Sequence, residues 1–273
     1  MKPHDSDPSN LVSQRPTPDE DGLIRLQKLL AQSGVASRRK CEELMLEGLV
    51  EVDGEVVSRL GTKVDPATAV IRVNGKRLPP ISASVYLVLN KPRGVVSTMS
   101  DPEGRPSLGE LVADRPERLF HVGRLDTDTS GLILLTNDGD FAQRLAHPSY
   151  EIEKTYVAEV EGELHKGIIK KLLAGVTLDD GPVAVSRARI VEGSHGRTSR
   201  SRTIVELVIH EGRNRIVRRL LEHVGHPVTQ LTRISIGPLE LGKLPPGELR
   251  ELTLDELGAV SYTHLTLPTK RIV

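Results

Sequence analysis

The chain has 273 residues, room for one large domain or two smaller ones, with 37% hydrophobic and 27% charged residues, as a soluble globular protein would have. No apolar run approaches the roughly 20 residues that cross a bilayer, and Cys41 as the only cysteine excludes an internal disulfide or a cysteine-based zinc cluster. Lys+Arg and Asp+Glu balance at 37 each, so net charge gives no sign of a nucleic-acid partner, and a cytoplasmic location is the expectation.

Residues 1–22, "MKPHDSDPSNLVSQRPTPDEDG", are polar and proline-rich without the apolar core of a signal peptide, and are expected to be a disordered tail. Residues 23–80 read as a small module. "IRLQKLLAQSG" has apolar residues at 24, 26, 29 and 30 and stops at Gly34, which predicts a helix with a glycine end. "SRRKCEELMLEG" predicts a second helix, with Ser37 as N-cap, Leu44 and Leu46 as apolar anchors and Gly48 as the stop. "LVEVDGEVV" and "AVIRVNGKRL" are strand-like pieces bent at Asp-Gly and Asn-Gly, the strongest short hairpin signals.

Charge is unevenly placed. "RLQKLLAQSGVASRRK" (25–40) holds five basic residues and no acidic one, and "RNRIVRR" (213–219) holds four arginines. Two acid-free basic runs point to an RNA or DNA footprint. The first lies in "RLQKLLAQSGVASRRKCEELMLEGLVEVDGEVV", which resembles the S4 RNA-binding domain. The resemblance implies that Arg38, Arg39 and Lys40, at the start of the second helix, meet RNA phosphates. Cations beside free helix N-terminal amides form an anion site, which agrees.

"PPISAS" (79–84) reads as a linker to a second domain over 85–258. "VYLVLNKP" and "GLILLTND" predict strands. "DGDFAQRLAHP" predicts a short helix capped by Asp138 or Asp140 and closed before Pro148. "KTYVAEVEG" and "RTIVELVIHEG" predict strands, "HKGIIKKLLAGV" and "RIVRRLLEHVG" helices, and "LTLDELGAV" a final helix. Strands and helices without a regular βαβ repeat predict an α+β fold around a mixed sheet. "SYTHLTLPTKRIV" (261–273) continues no pattern and is expected to be a non-native tail.

The loop "HVGRLDTDTSG" packs Arg124, Asp126 and Asp128 into five positions ahead of a buried strand. Asp128, Thr129 and Ser130 can serve as turn formers by themselves, which leaves Asp126 without a structural task. The segment "GRLDTDTSGLILLTNDG" resembles the signature of pseudouridine synthases, in the small-subunit-type family that carries an N-terminal S4 domain. "NKPRGVVST" (90–98), "EKTYVAEVEG" (153–162) and "EGRNRIVRRLLEHVGHPVTQLTRISIGPLEL" (211–241) support it in order, and it spans residues 24 to about 257. Ile216 departs from it, where many members carry Gln.

The resemblance implies that Asp126 is the catalytic aspartate, that Arg218 keeps it charged and oriented, and that Tyr156 stacks on the target base. It further implies that Arg124 helps hold the displaced strand and that Arg213 and Arg215 grip phosphates. Uridine becomes pseudouridine by exchanging its N1–C1′ bond for a C5–C1′ bond. Nothing is oxidised and no group is lost, so no cofactor is expected. A carboxylate can attack C1′ or remove the C2′ proton, and both routes stay open. The target uridine must leave the RNA stack to be reached.

His210, His223 and His226 lack the i, i+4 pairing of a metal site, no phosphate-loop or dinucleotide fingerprint is present, and acidic neighbours should make Cys41 a poor nucleophile. A monomer acting on ribosomal RNA, more on the large-subunit than the small-subunit RNA, is the expectation. A catalytically silent RNA-binding assembly factor is the alternative.

Overall fold

The computed structural model describes residues 22–193 and 201–262, so the expectations for the N-terminal tail and for residues 263–273 fall outside the described residues. The chain divides into two compact units: one runs through Val85 with Arg115–Arg118 and Asn137–Gly139, and the other takes Tyr86–Asp114, Leu119–Thr136 and Asp140 onward. No helix among the described residues is long and apolar enough to cross a membrane.

In the first unit β1 (Ile24–Arg25) leads directly into α1 (Leu26–Gln32), followed by α2 (Arg38–Leu46). Leu26, Leu29 and Leu30 give α1 one apolar stripe, which packs with Cys41 and Met45 of α2. Ser37 caps α2 by accepting a hydrogen bond from the Lys40 amide at 3.2 Å. The expected anchors of α2 are corrected here: Met45 and Cys41, four residues apart, turn inward with Leu44 beside them, whereas Leu46 is 62% exposed. Cys41 is fully buried, and burial, more than its acidic neighbours, pushes its thiol up.

After the helices come β2 (Val50–Val52), β3 (Glu55–Val56), β4 (Lys63–Val64), β5 (Ile71–Val73) and β6 (Lys76–Arg77). Asp53–Gly54 and Asn74–Gly75 all have positive φ, the turn geometry whose twist matches a two-residue hairpin.

The second unit is built on a nine-stranded mixed sheet. Its elements are β7 (Tyr86–Lys91), β8 (Phe120–Val122), β9 (Ser130–Thr136), α3 (Gly139–Ala146), β10 (Lys154–Glu161), α4 (Lys166–Ala174), the small hairpin β11 (Val176–Leu178) and β12 (Gly181–Val183), β13 (Arg187–Gly193), β14 (Arg202–Ile209), α5 (Ile216–His223), β15 (Val228–Ile236), β16 (Leu239–Glu240), β17 (Leu249–Glu251) and α6 (Leu254–Tyr262). Residues 261 and 262 thus continue the last helix, where the sequence put the start of a non-native tail.

The sheet runs β13-β14-β10-β15-β9-β7-β17, with β8 on β9 and β16 on β15. Its pairings are antiparallel except at the centre, where β15 and β9 run parallel. From Gly131 onward β9 is buried throughout, as its unbroken apolar run requires of a strand covered on both faces. At the parallel junction Gly131 pairs with Arg233, and a β-carbon on Gly131 would lie 2.2 Å from the Arg233 carbonyl oxygen. No residue but glycine lets the strands close there. The loop holding Asp126 enters β9 beside this junction.

Candidate active site

Asp126 is fixed through its backbone. The Thr129 amide donates to the Asp126 carbonyl at 3.0 Å, and the Gly94 amide donates to the Thr127 carbonyl at 2.7 Å. Buried Ser97 clamps the preceding residue, donating to the Leu125 carbonyl at 2.6 Å and accepting from the Leu125 amide at 3.1 Å. Two cavities share Asp126. The smaller, about 660 Å³, is also lined by Arg93, Ser97, Arg105, His121, Arg124, Asp128 and Arg215. The larger, about 850 Å³, has Arg124, Lys154, Tyr156, Arg215 and Arg233 together with the apolar side chains of Leu145, Ile216, Val217, Leu231 and Ile236. A mostly apolar recess with a few convergent polar groups is the usual form of a small-molecule site.

Arginines reach the carboxylates in an order the sequence did not show. Arg215 Nη1 lies 3.7 Å from Asp126 Oδ2, and Arg215 binds Asp128 with both terminal nitrogens at 3.1 and 3.0 Å. Arg218, expected to keep Asp126 charged and oriented, donates to the Asp128 carbonyl at 2.8 Å and to Thr129 Oγ1 at 3.3 Å, with its Nε 3.3 Å from the Asp128 carboxylate. It is 8% exposed, and its contact with the Asp126 loop is a brace. Asp128, expected as a turn former, is the hub of this network. Burial works against its charge, but the Arg215 hydrogen bonds and the nearby Arg218 outweigh it and hold the carboxyl below its ordinary range. Arg215 takes the left-handed conformation at φ 49, uncommon for a residue other than Gly, Asn or Asp.

The other two arginines of "RNRIVRR" are ion-paired within the chain. Arg213 donates to Asp180 Oδ1 at 2.9 Å, to Glu211 at 2.6 Å and to the Pro182 carbonyl at 2.6 Å, and Arg219 grips the same Asp180 at 2.7 and 2.8 Å. Hydrogen bonds from Arg219, with the charge of Arg213, hold Asp180 at about 2. Arg213 and Arg215, expected to grip phosphates, are both engaged by carboxylates of the chain itself. Exposed Arg93 and Arg124 have no such partner among the described residues. Of the basic trio on α2, Lys40 pairs with Glu43 at 2.7 Å, and Arg38 and Arg39 are exposed.

Tyr156 lies on β10 opposite Arg233, at a register shift that re-aims the strand, and it is 8% exposed in the larger cavity wall. Ile216, the departure from the family pattern, is buried in the same wall and contributes apolar surface there.

Three cations were not singled out by the sequence. Lys91 closes β7 with no exposure and donates to the carbonyls of Pro92 at 2.9 Å and Val95 at 2.7 Å. Burial pulls it down to about 8 against the opposing charges of Asp128 and Asp126. Lys154 and Arg233 line the larger cavity. The signal available was position: "NKP", "EKTY" and "LTRIS" each set a cation in a strand that should be apolar. No group of three or more His, Cys, Asp or Glu side chains among the described residues is arranged to hold a metal ion.

Asp126 thus stands beside Arg215 at a recess of about 850 Å³ whose wall holds Tyr156. The RNA pseudouridylate synthase family matches residues 85–223, and the S4 domain matches residues 24–70. An RNA pseudouridine synthase of Mycobacterium tuberculosis is 52% identical over 238 residues, covering 86% of this chain and 92% of its own. Ribosomal large subunit pseudouridine synthase B of Bacillus subtilis is 47% identical over 235 residues, covering 86% and 94%. A crystal structure of a pseudouridylate synthase superposes with a TM-score of 0.58 at 28% identity, covering 87% of this chain and 99% of that one. The chain belongs to the RNA pseudouridine synthase family and carries an S4 domain, as its sequence motifs led one to expect.

Proposed function

We propose that this protein is a cytoplasmic, monomeric, cofactor-independent enzyme that converts one uridine of ribosomal RNA, in the large-subunit 23S molecule, into pseudouridine. The target rests on likeness to relatives named ribosomal large subunit pseudouridine synthase B in Bacillus subtilis and Pseudomonas aeruginosa. The single observation that carries the chemistry is Asp126, which lines the nucleoside-sized cavity with Tyr156 and has Arg215 at 3.7 Å.

In this reading Asp126 meets the ribose of a flipped-out uridine, attacking C1′ or taking the C2′ proton, and Tyr156 stacks on the base. Arg215, with Nη1 3.7 Å from Asp126 Oδ2, aims the carboxylate. Arg218 positions the loop through Asp128 and Thr129. Arg38, Arg39, Arg93 and Arg124 take phosphates, and Lys40 joins them when it leaves Glu43.

The test is a map of pseudouridine, by carbodiimide-dependent primer-extension stops, in cells with and without the gene. Loss of one 23S site, restored by the wild-type gene and not by Asp126→Asn, is the expected result. A lost 16S site with 23S unchanged would overturn the target, and no lost site at all would favour a silent assembly factor.

A further inference from the structure

Lys154 and Arg233 lie in the larger cavity with no carboxylate in ion-pairing distance of either among the described residues. Arg233 is 2% exposed. Its Nε donates to the Leu132 carbonyl at 2.8 Å, while its Nη2 is buried with no hydrogen-bond partner. Lys154 donates to the carbonyls of Ile152 at 3.0 Å and His210 at 3.3 Å, leaving one of its three donors unassigned. Both belong with Tyr156: Arg233 is its cross-strand partner, and Lys154 lies two residues along β10, on the same face by strand alternation.

Buried charges are paired in nearly all proteins, and these two also repel one another. Burial pulls Lys154 down to about 8, and the charge of Arg233 adds to that. Such a pair calls for an anion. An RNA phosphate suits the exposed Arg93 and Arg124, whereas a group held beside Tyr156 and apolar walls is a base.

We propose that Lys154 and Arg233 are catalytic residues that hold the uracil ring as an anion while it is detached from the ribose. The proposal deepens the reading of this site as one that isomerises uridine, and rests on it. When the N1–C1′ bond breaks, its electron pair stays with the ring, spread over N1, O2 and O4. Fixed donors at a carbonyl oxygen stabilise that charge more than they stabilise neutral uridine, which is the requirement for lowering a barrier. The ring then turns, the C5–C1′ bond forms with a ring electron pair, the C5 proton is lost to a base and N1 gains a proton. The anion is consumed and the product is an isomer of the substrate.

The test compares the full-length wild type with Arg233→Gln, Lys154→Gln and the charge-retaining Arg233→Lys and Lys154→Arg. Single-turnover loss of the N1–C1′ linkage is followed by nuclease digestion and mass spectrometry, on RNA carrying uridine or 5-fluorouridine at the target. Fluorine makes the departing ring a better-stabilised anion, so it needs less help from the protein. The Gln variants should slow uridine about 100-fold and 5-fluorouridine about 10-fold or less, with the Lys and Arg variants in between and RNA affinity within about three-fold of wild type. An equal slowing of both substrates would overturn the proposal, and so would a loss of affinity with a smaller salt slope, the mark of a phosphate contact. A wild-type protein forming no pseudouridine would overturn the underlying reading and this proposal together, which distinguishes the two failures.

Discussion

Asp126 is shared by two cavities that hold positive charge in different states. Arg93 in the smaller, and Arg124, which lines both, are exposed and unpaired among the described residues, so their charge is fully hydrated and easily screened. In the larger, Arg233 is buried and Lys154 half-buried beside Tyr156, out of reach of most of that screening. Hydrated cations cost little to bring near RNA and give affinity that falls with salt. Desolvated cations are costly to keep, and they repay that only against a charge appearing in the same dry space. On the proposed reading, burial is what divides equal charge into grip and chemistry.

The sharpest way to break this division is at Asp126 itself. Asp126→Asn should lower single-turnover pseudouridine formation by about 10⁴-fold or more, the order seen when a nucleophile or base is removed, with RNA affinity within a few-fold. Appreciable turnover by the variant would remove Asp126 from the chemistry and dissolve the contrast. Gly131→Ala comes next, since its β-carbon would meet the Arg233 carbonyl at 2.2 Å in a backbone at φ 108. A destabilisation of about 3 kcal/mol, read by denaturant unfolding, is expected together with loss of activity.

Lys154 gives a smaller effect, visible in pH. Its value in the folded protein is lowered to about 8, so its charge is present below that pH and lost as pH rises through it. The charged and titratable groups around it are Arg233, Tyr156, His210, Glu151, Glu153 and Glu211. The single-turnover rate should fall about tenfold per pH unit above about 8. Lys154→Arg, which cannot deprotonate there, should move that limb upward. A limb that stays in place would assign it to another group.

The smallest effects belong to the hydrated cations. Arg93→Ala with Arg124→Ala should leave the saturated rate near wild type and reduce the log–log salt slope of RNA binding by about 1.5. Arg38→Ala, Arg39→Ala and Lys40→Ala together should reduce it by about 2, less than for three free cations because Lys40 is already tied to Glu43. An unchanged slope in either set would show that those residues meet no phosphate.

Much of the architecture could be read from the chain because its signals are local. Ser37 caps a helix by bonding three residues ahead, Asp53–Gly54 and Asn74–Gly75 turn hairpins by their own backbone preference, and the unbroken apolar run of β9 announces a strand covered on both faces. Asp126 stands out as a carboxylate in a loop that does not need it, whereas the roles proposed for Asp126 and Tyr156 come from the family resemblance. Leu46 failed as an anchor because helical phase, set by Cys41 and Met45, decides which leucine faces inward.

The sequence by itself determined the two kinds of module and the turns and caps, and it singled out Asp126 as the carboxylate on which the proposed chemistry rests. Only the tertiary structure decided how the cations are shared out: Arg215 to Asp126 and Asp128, Arg218 to the loop behind them, Arg213 and Arg219 to Asp180, Lys154 and Arg233 to the cavity. The reason is physical. Capping and turn formation act over three or four residues of one chain segment, whereas an ion pair is chosen by distance in space. For Arg233 that distance is set by the parallel junction of β9 and β15, which brings residues about a hundred positions apart into contact and which no local pattern encodes.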